Sequence, residues 1–528
     1  MQERDEYVLV HEVVQRVQGL QQVLEKGSCH GQLGEGGRTE GAFEERLDME
    51  KSSINILLNL YKIRYGQRSE QLRVAMAAVC AAPPASALLA TTADSLSPRL
   101  HYLLSGTFNT LFLYLLAFSP YAANGPTLTV HRKYRAEGPH QFIALSEDRK
   151  RAFATTWAQP PTLSSWEVLG NGKDGIRKVN TVPISATGSY LTVSPASLGF
   201  VPPRVYQAGG PVAQTFAVDS STGGFGEQLQ EVIYLDGGEE ELRDPKTDKT
   251  RVALRYGSHA VDIDPVFQRA YVPHVGRDSL FVYSFNPDGT LHHLNEIPSH
   301  GHRGHEGPRH SIPSPDGKKL YVITEHTSYL DVYDVLASSP YLAHSQRLSV
   351  IPPHQHSTRP LYRGDTLRLS SDRRRLYVTT RGKTANERGW VAVFALAADG
   401  SVRETTDEKE EEEGYGAVSR FETRNSGGKA NAIEVFPFWP TSSSSSTAAA
   451  AAADVAGAQP GPEGRDWIVL TDDEAGFVSV LEWRDAWGEL REVASVQLGV
   501  DAPVEGEGAG EVSDEEKGTG ASHAVWLS

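Results

Sequence analysis

Cysteine is nearly absent: the 528-residue chain carries two, Cys29 and Cys80. Both lie outside the stretch that reads as best folded. A disulfide framework is therefore excluded, and a reducing, cytoplasmic compartment is expected. Positive charge is also short, with 51 Lys and Arg against 67 Asp and Glu and a net charge of −16. That balance excludes the basic face a nucleic-acid binder needs. An anionic ligand would require a locally positive pocket on an acidic body. A membrane-length apolar run is missing too. The most apolar stretch, Leu103 to Phe118 (LLSGTFNTLFLYLLAF), falls short of the about 20 residues of a spanning helix and contains Ser105, Gly106, Thr107 and Asn109. It reads as two short buried strands around a Gly-Thr-Phe-Asn-Thr turn. The opening MQERDEYVLVHEV is charged and has no signal-peptide apolar core, so no membrane partner is expected.

What is plentiful is punctuation. The chain has 49 Gly and 30 Pro with 39% hydrophobic residues, the balance of a turn-rich globular protein. Residues 1–95 stand apart: Tyr7, Val10, Val13, Val14, Val17, Leu20 and Leu24 recur at helical spacing, and 53–80 also reads as helical. This is an N-terminal extension, helical or partly disordered. From about residue 96 a turn-then-strand phrase repeats: LSEDRKRAFATTW (145–157), DIDPVFQRAYVPHV (262–275), PSPDGKKLYVITE (313–325) and LSSDRRRLYVTTR (369–381). Asp264, Asp316 and Asp372 mark a period of about 50 residues, and second strands follow as SLFVYSF, SYLDVYDV and WVAVFAL. Several strands per unit at that period predict an all-β fold, a β-propeller spanning 96–528. The terminal ASHAVWLS would pair with early strands and close the ring, removing exposed edges. Three insertions interrupt it: an acidic run at 401–418, a Ser/Ala-rich stretch at 440–464 and a Gly/Glu-rich stretch at 501–520. They carry no assigned chemistry.

In such a ring the innermost strand of each blade lines the central channel. A residue just before that strand, and one at its end, would project toward the channel. Arg309 and Glu325, flanking EGPRHSIPSPDGKKLYVITEH (306–326), hold such places. Tyr362, Arg363 and Asp365 in LYRGD precede another inner strand, where Arg363 and Asp365 could instead form a blade-to-blade ion pair. His292, His293, His300, His302, His305 and His310 cluster without the spacing of a zinc site and read as a flexible polar loop, so no metal is assigned. Alone, an arginine near a strand is most often a surface residue worth about 0–1 kcal/mol in an ion pair. A single histidine such as His259 is most often a packing residue.

GPRHSIPSPDGKKLYVITE resembles the phrase shared by seven-bladed propellers of the lactonase family, which includes bacterial 6-phosphogluconolactonase. GSHAVDIDP (257–265), LYRGDTLRLSSDRRRLYVTTRGKTANERGWVAVF (361–394), SGGKANAIEVFP (426–437), WIVLTDDEAGFVSVLEWRD (467–485) and ASHAVWLS resemble the fungal carboxy-cis,cis-muconate cyclases, also called 3-carboxymuconate lactonizing enzymes. The likeness is strong from about 255 to 528, weak over 101–254 and absent from 1–95. It implies a seven-bladed propeller and a cofactor-free cycloisomerase that turns 3-carboxy-cis,cis-muconate into a lactone in the protocatechuate branch of aromatic catabolism. The family's catalytic histidine, two arginines and glutamate fall on His259, Arg309, Arg381 and Glu325. Arg309, Arg381 and Arg363 would bind substrate, a small polycarboxylate, because arginine grips carboxylates bidentately and stays charged. His259 is the expected general acid. Glu325 would share that role if its pKa is raised, or else orient an arginine or hold His259 protonated. Lys429 stands where the cyclases have His, His523 where they have Asn, and GPRH replaces His-Pro-Arg-Trp. Two alternatives stay open: a sugar-lactone hydrolase, and a non-catalytic interaction scaffold. A homo-oligomer is compatible with all three.

Overall fold

The repeated turn sets the order of the sheets. In Ser314–Gly317, Ser314 Oγ donates to Asp316 Oδ1 at 2.7 Å, and the Lys318 N–H reaches the same oxygen at 3.1 Å. Ser370 and Asp372 repeat both contacts with Arg374, and Ser146 and Asp148 repeat them with Lys150. The residue after the aspartate must turn left-handed: φ is 70° at Gly317, 60° at Arg373 and 58° at Arg149. Only one of the three is glycine, the residue that adopts this conformation without a Cβ penalty. The aspartate's grip on the following amide holds the other two there.

The computed structural model describes residues 100–301, 305–403, 416–437, 439–440, 460–461, 464–499, 504–505 and 520–528. The helical N-terminal extension expected at 1–95 lies outside these, as do most of the three insertions. Each turn joins the first two strands of a blade, and two more strands complete an antiparallel four-stranded sheet. Seven blades occur among the described residues, six of them four-stranded and one with the two-residue strand Val504–Glu505 added in parallel at its edge. Their first strands are Ala521–Trp526, Ile143–Leu145, Tyr190–Val193, Asp262–Asp264, Pro308–Pro313, Tyr362–Leu369 and Ile433–Val435, numbered here as blades 1 to 7. First strands neighbour one another around the ring, those of blades 3 and 4 through the Tyr190–Asp262 hydrogen bond, so these strands face the axis. The KLYVIT-type strand, which the sequence suggests is innermost, is second from the axis in each blade.

Blade 1 is built from both ends of the described chain. Ala521–Trp526 pairs with His101–Thr107, which pairs in turn with Phe112–Ser119. The latter two are the expected strands of the apolar stretch, and both are buried along their whole length. Among the described residues no helix is long and apolar enough to cross a membrane. Neighbouring blades bury aliphatic and aromatic faces against each other. Tyr271, Leu280 and Val282 of blade 4 meet Leu320, Val322 and Tyr333 of blade 5. Tyr321, Ile323 and Val332 of blade 5 meet Leu367, Val378 and Phe394 of blade 6. Each such side chain contributes about 1.5–3 kcal/mol of burial. No blade can bury both faces alone, so the ring is one cooperative unit from blade to blade.

The histidine cluster is a loop only in part: His300 and His305 lie in the connection between two strands, while three others lie in the strands themselves. His292 and His293 lie in strand Leu291–Pro298, and His310 is buried in the axial strand Pro308–Pro313. His300 stacks on His344 with ring centroids 3.5 Å apart. His302 falls outside the described residues. No group of three or more potential ligands among the described residues is placed to hold a metal.

Candidate functional site

Sheet register defines equivalent places around the axis. Asp262 pairs with Tyr271, Ile312 with Tyr321 and Arg368 with Tyr377. Counting back three residues from each axial partner gives His259, Arg309 and Asp365, one per blade. Both Arg309 and Asp365 sit at register shifts in their ladders. An extra residue there bends the strand and re-aims the side chain. Antiparallel pairing also brings the two ends of the Arg309–Glu325 hairpin together, since Pro308 pairs with Thr324 and the Glu325 N–H donates to the Gly307 carbonyl at 2.6 Å.

All five residues expected at the site meet. Glu325 is the hub of three guanidinium groups. Arg363 Nη1 and Arg381 Nη2 lie 3.3 and 3.4 Å from its Oε1, and Arg309 Nε lies 3.5 Å from Oε2. Arg309 also spans to Asp365 Oδ1 at 3.0 Å through Nη2. Its Nη1 points at two imidazoles, His259 Nδ1 at 3.4 Å and His310 Nε2 at 3.2 Å. A guanidinium only donates, so both ring nitrogens accept, and His259 carries its proton on Nε2. Side-chain exposure grades across the cluster: 6% for Arg309, 16% for Arg381 and 28% for Arg363. The Arg363–Arg381 side of the cluster is thus the more open one, and Arg309 lies deepest. The Nε donors of Arg309 and Arg381 are buried and have no hydrogen-bond partner among the described residues.

The electrostatics divide the roles. Burial would raise the Glu325 carboxyl, but the Arg381, Arg309 and Arg363 guanidiniums overcome it and hold the group at about 2. It is ionised at neutral pH and cannot act as a proton donor; it orients arginines. Burial, with Arg309 adding to it, drives His259 well below the usual imidazole range despite Glu325 nearby. Glu325 therefore does not keep His259 protonated, and the imidazole is neutral with no substrate present. Arg309 is opposed by burial and supported by Asp365 and Glu325. Three guanidiniums against two carboxylates leave a local excess of positive charge on an acidic body, as an anion site needs.

Asp365 pairs with Arg309 of the neighbouring blade, and Arg363 pairs with Glu325; the alternative Arg363–Asp365 pair does not form. Asp365 is held by the Asn431 N–H at 2.6 Å. Arg363 also contacts His326 Nδ1 at 3.0 Å. No motif marks His310 or His326 as a site residue, whereas Asp365 stands in LYRGD among the expected channel-lining residues. For Asp365 the signal was available: it occupies the same place before its tyrosine partner as His259 and Arg309. Beneath lies a second polar layer. Tyr190 Oη donates to Asp262 Oδ1 at 2.7 Å, Ser311 Oγ donates to Asp262 Oδ2 at 2.8 Å, and Arg368 pairs with Glu434 at 2.8 Å. Phe142 stacks on His523 at 4.0 Å between these groups and His310.

The lactonase family of seven-bladed β-propellers matches residues 121–451. The chain belongs to this family. The ring continues beyond the matched range, through blade 7 and the closing strand Ala521–Trp526. A muconate cycloisomerase 1 from Cutaneotrichosporon cutaneum is 29% identical over 395 residues, 74% of this chain and 92% of that one. A carboxy-cis,cis-muconate cyclase from Neurospora crassa is 22% identical over 249 residues, 46% and 57% of the two chains. A 6-phosphogluconolactonase from Enterobacter sp. (strain 638) is 27% identical over 146 residues, 28% and 41%. Among solved structures, a putative 6-phosphogluconolactonase from Bacteroides fragilis aligns with a TM-score of 0.54 at 14% identity, over 82% of this chain and 99% of that one. That likeness speaks to fold alone.

Proposed function

We propose that this family member is a cycloisomerase that converts 3-carboxy-cis,cis-muconate to its γ-lactone. The observation that carries the reading is the arginine trio around Glu325, with His259 in contact with the innermost arginine. The relative named muconate cycloisomerase 1, similar over most of its length, supports it.

In this reading Arg363 and Arg381 hold one carboxylate between them, and Arg309 takes the one at the reacting end. One carboxylate oxygen forms a C–O bond to an alkene carbon. The alkene's π pair moves toward the conjugated carboxylate, giving an enediolate. A fixed guanidinium there stabilises the new charge by an amount on the order of 3 kcal/mol, the typical worth of one oxyanion donor. His259 then delivers a proton to the α-carbon, which completes the lactone. Burial and Arg309 hold His259 neutral, so it must first gain that proton. A polyanion nearby favours the imidazolium, and Arg309 turning from His259 Nδ1 to the substrate carboxylate frees that nitrogen to be protonated. Substrate binding is thus coupled to proton uptake.

The neutral imidazole also favours a second reading, in which His259 acts as general base for water attacking a sugar lactone. Purified protein should consume the diene absorbance of 3-carboxy-cis,cis-muconate. Hydrolysis of 6-phosphogluconolactone with no loss of muconate absorbance would replace the first reading with the second. Silence in both assays would leave the scaffold.

A further inference from the structure

Beside the arginine trio, the site's edge carries a row of two aromatic rings with a cation at each end. Trp157 occupies in blade 2 the place that Glu325 and Arg381 occupy in blades 5 and 6, four residues past the partner of the axial strand. Its indole N–H donates to Gln141 Oε1 at 2.7 Å. Gln141 is the blade 2 counterpart of His259, so the indole stands at the level of the site. Phe108 packs on Trp157 with centroids 4.6 Å apart. Lys429 lies over Phe108 at 5.2 Å, and the adjacent Gly428 carbonyl accepts from Arg381 at 3.2 Å. The row therefore runs directly into the arginine cluster.

Its far end is Arg251, whose guanidinium lies over the Trp157 ring at 5.3 Å. Arg251 comes from the segment linking blades 3 and 4. That segment is fixed to the same end of the channel: the Thr187 N–H donates to the Lys249 carbonyl at 2.9 Å, and Ser189, two residues on, donates through Oγ to the His259 carbonyl at 2.8 Å. Lys429 is neutralised by Asp473 at 2.8 Å. No ion pair to Arg251 is found among the described residues, and its side chain is exposed. A guanidinium held over an indole keeps its edge donors available to a carboxylate.

We propose that Arg251, carried on Trp157, is a specificity-determining residue that binds a third carboxylate, so that the site selects planar tricarboxylates over dicarboxylates. This rests on the cycloisomerase reading and names the feature of the substrate that the far edge recognises. Muconate offers carboxylates only to the trio; its 3-carboxy derivative offers one more to Arg251.

Binding of unreactive planar probes tests it without turnover. Calorimetry compares benzene-1,2,4-tricarboxylate with benzene-1,4-dicarboxylate on the full chain. The wild type should prefer the tricarboxylate about tenfold. Arg251→Gln should remove that margin, and Arg251→Lys should restore part of it. Trp157→Leu should reduce the margin, and Trp157→Phe should retain most of it. Arg251 is exposed, so its variants should melt as the wild type does. A margin unchanged in Arg251→Gln, an equal loss for both probes, or no tricarboxylate preference in the wild type overturns the proposal. The margin without turnover of 3-carboxymuconate would instead count against the cyclisation alone.

Discussion

At the residue scale, the site turns on two groups whose environments push them in opposite senses. Glu325 is held at about 2 against an ordinary 4.5. A carboxyl with a depressed folded pKa adds stability that is fully present above 4.5 and is lost as pH falls from there through about 2. A shift of that size corresponds to roughly 3 kcal/mol. Glu325→Gln should therefore lower stability by a few kcal/mol at pH 7 in urea titrations, with the difference from wild type shrinking near pH 3. A pH-independent difference would show that shape, not charge, is what the variant removes. His259→Gln should cut kcat for 3-carboxymuconate about a hundredfold or more and leave KM within a few-fold, as expected for loss of a general acid. Wild-type turnover in that variant would remove His259 from the chemistry. If the proton is taken up on binding, the calorimetric enthalpy of wild-type binding should depend on the buffer's ionisation enthalpy, and that dependence should vanish in His259→Gln.

At the element scale, the unit is a turn plus the strands it joins. Gly317 has φ of 70°, and a Cβ there would lie 2.8 Å from Val266 Cβ of the preceding blade. Gly317→Ala should cost about 1–2 kcal/mol from the left-handed backbone, plus what the contact adds; the urea midpoint measures it. These turns were legible in sequence because Ser-x-Asp followed by a polar pair is a local signal read without tertiary context. The strands after them were equally legible from their β-branched and aromatic residues. The register shifts at Arg309 and Asp365 were not, since a bulge is defined only against a partner strand. The partner of Asp365 and the strand position of His310 therefore follow only from the folded ladder.

At the scale of the whole molecule, the ring closes on one strand. Removing residues 521–528 would expose the edge of His101–Thr107 and delete the Leu527 N–H to Tyr102 carbonyl bond. The truncated chain should lose cooperative melting and self-associate, as seen by circular dichroism and size exclusion. Burial holds His140 and His274 at about 3 and pushes His259, His310 and His523 well down. The unfolded chain would protonate all five below about 6.5, each contributing a slope of about 1.4 kcal/mol per pH unit. Asp262, raised by burial to about 6, offsets one of them below that pH. Stability should drop steeply between pH 6.5 and 5; a flat melting temperature over that range would contradict the neutral burial of these rings.

The amino-acid order by itself determined the repeat, the turns, the closing strand and the residue types of the site, because each is carried by neighbours a few positions apart or by a period that needs no partner. Only the tertiary structure decided which charges touch. It set Arg309 between Asp365 and Glu325, left His259 neutral and laid Arg251 on Trp157. Those outcomes depend on desolvation and on distances between blades, quantities that exist only once the ring has closed.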